Sequence, residues 1–153
     1  MKIKFNKGLD LKIAGAISSD AIVEVPVNPC AITADDFPGF VPKVAAKVGT
    51  AVQAGSPLLY DKNNPVVKIV SPIAGRVKDV VRGDRRKILY VEVEQMESDA
   101  EDPVVTPVKD EESARRFLAE SGLLAMMRRR PFDITPNPDE EVRDIFVTGF
   151  DSA

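Results

Sequence analysis

Short apolar runs broken by glycine and proline fill the first 95 residues and predict β structure. They recur at a spacing of about 8–12 residues, which is typical of a small sandwich or barrel. The runs are FVPKVAAKVG, SPLLYDK, PVVKIVSP, GRVKDVVRG and KILYVEVE, and residues 66–70 are expected to form a strand. In the last run Leu89, Val91 and Val93 alternate with Ile88, Tyr90, Glu92 and Glu94. This period of two predicts a strand with one buried face.

The pattern changes after residue 95. Residues 96–109 are acidic, contain two prolines and predict a connector. A helical segment follows over 110–134, where Asp110 is expected to cap the first helix and Gly122 to end it. The run LLAMMRRR predicts a second short helix that stops at Pro131.

Residues 135–153 are predicted to hold a linker, TPNPDEE, and then the start of a further domain. The run DIFVTGF (144–150) is nearly all apolar and predicts a buried strand that needs partners on both faces. We expect it to be the first strand of a truncated α/β domain, so that the chain is a fragment. The predicted fold class is α+β, with a β-rich domain over 1–95 as its main part.

The composition narrows the chemistry available to the chain. It has 153 residues, 44% hydrophobic and 29% charged, and no apolar run near the ~20 residues of a spanning helix. The lack of histidine excludes Ser-His-Asp and Cys-His mechanisms and histidine metal ligands. The single Cys30 excludes an internal disulfide and a cysteine-ligated metal or iron–sulfur cluster. We therefore expect a soluble, cytoplasmic domain with no catalytic residues and no metal site.

Charge is distributed unevenly along the chain. Residues 1–95 hold 14 Lys and Arg against 10 Asp and Glu, a net of +4, and residues 96–153 hold 7 against 14, a net of −7. This asymmetry favours partners of mixed charge, although two solvated surfaces would also explain it. The positive residues are not interleaved with aromatic ones, so nucleic acid is not an expected partner.

Residues 48–94 carry paired glycine-bounded hairpins, with glycines 49, 55 and 75 expected at tight corners of positive φ. This stretch resembles the biotinyl/lipoyl carrier fold, a flattened barrel also called a barrel-sandwich hybrid. Carriers hold a modified lysine at a hairpin tip, and Lys62 lies near that place. Its neighbours depart from the carrier pattern, and Asn63-Asn64-Pro65 also suits an ordinary turn.

A closer resemblance covers nearly the whole chain. Its motifs include Gly8-Leu9-Asp10-Leu11, Lys47-Val48-Gly49, Ser71-Pro72, Arg82-Gly83 with Arg85-Arg86, Glu120-Ser121-Gly122-Leu123, Arg130-Pro131-Phe132 and Ile145-Phe146-Val147-Thr148. In order and spacing these resemble the N-terminal part of the A subunit of the sodium-translocating NADH:quinone oxidoreductase. The family's proteins are longer and continue into an α/β domain.

The resemblance implies a role in a complex that passes electrons from NADH to a membrane quinone and pumps Na⁺. The A subunit is its peripheral member on the cytoplasmic face of the bacterial inner membrane. It binds no firmly assigned redox cofactor, and ubiquinone or menaquinone is a substrate of the whole complex. The expected partners are the other subunits of the complex, and no catalysis is expected from this chain alone.

Two segments correspond to stretches that the family associates with quinone, residues 32–40 and residues 130–134. Phe37, Phe40 and Phe132 would supply flat apolar walls, and Arg130 a donor to a quinone carbonyl. The alternative is that the phenylalanines anchor loops to the core and that Arg130 lies at a helix end.

The turn RGDRRK predicts a docking surface formed by Arg82, Arg85 and Arg86, which would meet an acidic partner or anionic lipid headgroups. A solubilising loop explains it equally well.

Three other functional interpretations remain open at this point. One is the C subunit of the related Rnf-type electron-transport complex, which shares the hairpin domain but carries iron–sulfur cysteine motifs that do not occur here. The others are a biotinyl- or lipoyl-type carrier and a protein-interaction module with no redox role.

Overall fold

Seven strands and two α-helices form the regular structure of residues 22, 23, 25, 28–96 and 108–147, which this computed structural model describes. The strands are β1 (Cys30–Thr33), β2 (Pro42–Val44), β3 (Ala51–Val52), β4 (Pro57–Asp61), β5 (Lys68–Val70), β6 (Gly75–Arg82) and β7 (Ile88–Gln95). The helices are α1 (Glu111–Glu120) and α2 (Leu123–Met126), and single 3-10 turns occupy Ala34–Asp36 and Asp84–Arg86. The motifs before residue 22 and most of the predicted connector lie outside the described residues.

The strands form two antiparallel sheets that enclose the apolar core. The larger sheet has the order β1-β7-β6-β3 and the smaller one β2-β4-β5. Side chains from both sheets are fully buried between them, namely Leu58, Leu59, Val77, Val91 and Val93. This arrangement agrees with the paired hairpins predicted from the glycine-bounded runs.

The alternation predicted for the last run is confirmed over most of β7. Val91 and Val93 are fully buried, whereas Glu94 is exposed. Ile88 departs from the pattern, because it was predicted on the opposite face and is only 4% exposed. A bulge in β7 accounts for this: Val81 and Arg82 of β6 pair with Tyr90 and Ile88, so Leu89 is an extra residue and the face reached by Ile88 changes.

Gly75 corrects one prediction about tight corners. Gly49 and Gly55 have φ values of +85° and +88° as expected, but Gly75 is the first residue of β6 and has no positive φ. A Cβ atom on Gly75 would stand 2.0 Å from the carbonyl oxygen of Glu94 on β7. The glycine is therefore needed for the close approach of the two strands rather than for a turn.

The helical segment closes onto the same core. Asp110 caps α1 as predicted: its carboxylate accepts the Ser113 N–H at 2.8 Å, and the Ser113 hydroxyl accepts the Asp110 N–H at 3.0 Å. Gly122 follows the helix with φ +82°, which confirms the predicted glycine at its end. Ala119, Leu124 and Ala125 of these helices belong to the same buried cluster as the strand residues, so the sheets and the helices share one core.

The second helix is shorter than predicted. It ends at Met126 rather than at the residue before Pro131, because Met127 is already extended with ψ 160°. The α conformation is also disfavoured for Arg130, which precedes a proline. The sequence RRRPF therefore forms a turn and not a helix end.

The buried strand predicted over 144–150 is not formed in its described part. Residues 144–147 have no regular structure, and Ile145, Phe146 and Val147 are 81–85% exposed. A strand needs ladder partners for its backbone groups, and none pairs with these residues within the described ranges. Residues 148–150 lie outside those ranges.

Candidate functional site

The loop after β1 holds two of the four residues predicted near a quinone. Phe40 is 7% exposed and belongs to the core, and Phe37 is half-buried against it. Their ring centroids are 6.4 Å apart with the planes tilted by 53°. The two rings thus anchor the loop, and Phe40 has little surface left for a ligand.

A tight turn between residues 128 and 135 holds the other two. The Arg129 N–H donates to the Ile134 carbonyl at 2.7 Å, and the Asp133 N–H donates to the Arg129 carbonyl at 2.8 Å. Phe132 lies at the tip of this turn, 67% exposed, and the Arg129 guanidinium stands 5.7 Å from the centre of its ring. The turn therefore presents an aromatic face to solvent with a cation beside it.

The loop and the turn lie against each other. The Thr135 N–H donates to the Pro38 carbonyl at 2.8 Å, and the Arg128 guanidinium donates to the Asp36 carbonyl at 2.8 Å. A Cβ atom on Gly39, whose φ is +81°, would stand 2.9 Å from the Cβ of Ile134. We call residues 34–40 and 128–135 together the loop–turn junction.

The three arginines of the turn have different surroundings. Arg128 is tied inward, because its guanidinium also donates to the carbonyls of Ala125 and Met127 at 2.9 and 3.1 Å. Arg129 forms an ion pair with Glu140. The side chain of Arg130, the predicted donor, is 71% exposed and lies 3.2 Å from the Asp133 carboxylate. An exposed pair of this kind is weak, so a ligand can compete for Arg130.

The predicted docking residues lie on a turn next to the junction. Residues 82–87 connect β6 to β7, and we call them the basic turn. The Gly83 N–H donates to the Lys87 carbonyl at 2.8 Å, and the Arg82 guanidinium donates to the Arg86 carbonyl at 3.3 Å. Lys87 forms a 2.8 Å ion pair with Asp35, which joins the basic turn to the loop–turn junction.

Several side-chain contacts in this part of the fold could not be predicted from the sequence. The Lys87–Asp35 pair spans 52 positions, and Asn64 beside Lys62 donates to the Asn137 side chain at 2.9 Å across 73 positions. The Thr135 hydroxyl oxygen is buried and has no hydrogen-bond partner among the described residues. Contacts between distant segments of this kind depend on the tertiary fold, which residue spacing does not encode.

Among the described residues, the two groups with perturbed pKa values lie outside the junction. The pKa of Asp110 is lowered because its carboxylate accepts the Ser113 backbone N–H and also bonds the Ser113 side chain. The pKa of Lys78 is raised mainly by its hydrogen bond to the Glu92 carboxylate and by the charge of that carboxylate. Asp110 caps α1, and Lys78 of β6 forms an ion pair with Glu92 of β7.

Comparison with known protein families gives a direct match. Residues 3–96 match the model of the NqrA N-terminal barrel-sandwich hybrid domain, and residues 109–153 match that of the NqrA second alpha/beta domain. The chain belongs to the NqrA family. This confirms the predicted family and the predicted α+β fold class with a barrel-sandwich hybrid as its main part.

Curated NqrA relatives share about a third of its residues. Proteins named as the A subunit of Na(+)-translocating NADH-quinone reductase are 37% identical in Serratia proteamaculans (strain 568), 35% in Pseudomonas aeruginosa (strain UCBPP-PA14) and 34% in Vibrio atlanticus (strain LGP32). Each alignment covers 98% of the chain and 35% of the relative. The chain thus spans about a third of the length of these NqrA proteins.

Membrane-spanning helices and metal-binding clusters are both absent from the described part of this NqrA chain. Within those ranges, no helix is both long and apolar enough to cross a membrane. No group of three or more Cys, Asp or Glu side chains among the described residues is arranged to hold a metal ion.

Proposed function

We propose that the chain is part of the A subunit of a Na⁺-pumping NADH:quinone oxidoreductase. In this proposal it lies peripherally on the cytoplasmic face of the bacterial inner membrane and associates with the other subunits of the complex. It catalyses no step alone, and it contributes to assembly and borders the site where the complex reduces ubiquinone or menaquinone. The names of the curated relatives support the complex, and the loop–turn junction supports the quinone contact.

The single observation that carries the quinone proposal is that the two predicted segments meet. Residues far apart in the sequence lie together through the Thr135–Pro38 and Arg128–Asp36 hydrogen bonds. A quinone ring needs a flat apolar surface and a donor near its carbonyl oxygen. Phe132 and Arg130 offer both on an exposed turn.

The four predicted residues have different roles in this proposal. Phe132 and Arg130 are accessible and would contact the quinone. Phe40 is buried, so it would act by holding the loop in place, and the half-buried Phe37 would pack between Phe40 and the surface. Substitution of Phe132 is therefore the clearest test, because it removes the ring without removing core packing.

The experiment measures quinone reduction by the complex purified through a tag on the native-length protein. Phe132→Ala should raise the KM for quinone by about fivefold, which corresponds to about 1 kcal/mol of aromatic contact. Oxidation of NADH by an artificial acceptor that does not use the quinone site should be unchanged. Val48→Ala serves as the control, because Val48 is a similarly accessible apolar residue outside the junction. An unchanged KM in Phe132→Ala would contradict the quinone contact.

A further inference from the structure

Arg128 joins the two segments of the loop–turn junction through their main chains. On one side its guanidinium Nη1 donates to the carbonyls of Ala125 and Met127, at the end of α2, at 2.9 and 3.1 Å. On the other side Nη2 donates to the Asp36 carbonyl at 2.8 Å, across 92 positions of the sequence. The donors of a guanidinium point in fixed and different directions, so one side chain can bridge two segments in this way.

This bridge is one of two hydrogen-bonded connections between the loop and the turn. The Thr135 N–H forms the second connection by donating to the Pro38 carbonyl at 2.8 Å. Phe132 lies on the turn between the two connections, and Phe37 lies on the loop between them. The connections therefore fix both segments on either side of the aromatic residues that are proposed to lie near the quinone.

Hydrogen bonds within the turn make its tip follow its base. The Arg129 N–H donates to the Ile134 carbonyl at 2.7 Å, and the Asp133 N–H donates to the Arg129 carbonyl at 2.8 Å. The Phe132 ring is carried on this closed unit and is 67% exposed. Loss of one connection to the loop leaves the turn free to tilt about the other, and the ring then moves with the turn.

We propose that Arg128 is a positioning residue for quinone reduction, which acts by fixing the Phe132 ring and does not touch the quinone. The proposal rests on the proposed function, because it concerns the same site. Arg128 is half-buried and uses both terminal nitrogens of its guanidinium on main-chain carbonyls. The Arg130 side chain is 71% exposed and stays accessible to a ligand, so the two arginines have different roles.

The first measurement follows the Thr135 N–H by hydrogen exchange, detected by NMR in the purified chain. The variant Arg128→Lys keeps the charge but loses the planar fork that bridges the two segments. We expect exchange of the Thr135 N–H to become about tenfold faster, because a charge-assisted hydrogen bond no longer opposes local opening. The Gly83 N–H, which donates to the Lys87 carbonyl within the basic turn, should exchange as in the wild type.

Arg116→Lys is the matched control for the same chemical change. The Arg116 guanidinium bonds Glu120 on the same helix, and its side chain is 74% exposed. Exchange of the two reporter N–H groups should not differ between this control and the wild type.

The second measurement is the KM for quinone of the complex purified through a tag on the native-length protein. Arg128→Lys should raise this KM by about threefold, because the ring is displaced but still present. Oxidation of NADH by the artificial acceptor should be unchanged. The double variant Arg128→Lys/Phe132→Ala should have the KM of Phe132→Ala alone, because Arg128 acts through that ring.

Unchanged exchange of the Thr135 N–H in Arg128→Lys would overturn the inference, because the bridge would then not hold the turn. Three kinetic results would also overturn it: an unchanged KM in Arg128→Lys where Phe132→Ala raises it, additive effects in the double variant, or equal loss of both activities. If Phe132→Ala itself leaves the KM unchanged, the quinone contact of the proposed function fails, and the positioning role fails with it.

Discussion

Substitution of Gly39 by alanine tests whether the loop and the turn form one unit. Gly39 has φ +81°, and a Cβ atom there would stand 2.9 Å from the Cβ of Ile134. The substitution therefore adds two costs: a left-handed alanine and a collision between the loop and the turn. We expect Gly39→Ala to be clearly destabilising, because the loop must move away from Ile134.

The two costs can be separated within the same protein. Gly49 and Gly55 have φ values of +85° and +88°, and a Cβ on either would meet nothing within 4 Å. An alanine in the left-handed conformation destabilises the folded state by about 1–2 kcal/mol, and the reduced freedom of the unfolded chain offsets about 0.4–1 kcal/mol of this. The free energy of unfolding should therefore fall by about 1 kcal/mol in each of the control variants Gly49→Ala and Gly55→Ala. The collision with Ile134 adds about 1–3 kcal/mol of destabilisation, so the free energy of unfolding should fall by about 2–4 kcal/mol in Gly39→Ala.

The assay is urea unfolding of the purified chain, followed by circular dichroism for the wild type and the three glycine variants. The double variant Gly39→Ala/Ile134→Gly removes the Cβ atom that the new methyl meets. It should recover about 1 kcal/mol or more relative to the sum of the single variants, because residues in contact are coupled. Equal destabilisation by Gly39→Ala and Gly55→Ala, with no coupling to Ile134, would refute the contact between the loop and the turn.

Three further predictions concern the fold and its dependence on pH. Gly75→Ala should destabilise the chain by roughly 3 kcal/mol or more in urea unfolding, because the new Cβ would stand 2.0 Å from the Glu94 carbonyl oxygen. Asp110→Asn should destabilise above pH 3.8, the ordinary pKa, and this difference should vanish as the pH falls through the lowered native pKa. Phe40→Ala should cost about 3–5 kcal/mol, and Phe132→Ala nearly nothing, when their urea midpoints are compared, because only Phe40 is buried.

Local rules predicted the elements whose determinants lie close together in the sequence. The capped start of α1 needs only Asp110 and Ser113, and the glycine after it needs only a helix end. The buried face of β7 follows from its period of two, except at Ile88, where Leu89 is an extra residue in the pairing with β6. The pattern along one strand does not show where its pairing with a neighbour shifts.

The sequence predicted which residues belong to the candidate site, but not how they are arranged in space. Phe37 and Phe132 were named from a resemblance, but nothing in the sequence indicated that one is half-buried and the other lies at an exposed tip. The helix predicted up to Pro131 was wrong because Met127 leaves the helical conformation and the turn closes through Arg129 instead. The apolar content of residues 144–147 led to the wrong prediction of a strand, because no strand among the described residues pairs with this segment.

The most direct test of the quinone contact is photochemical labelling of the purified complex with a quinone that carries a light-activated group. Peptides of the tagged native-length protein are then mapped by mass spectrometry, with and without excess unmodified quinone. We expect adducts within residues 32–40 or 128–135 that the competitor suppresses. Labelling confined to other residues or other subunits, with the junction unmodified, would contradict the proposal that this chain borders the quinone.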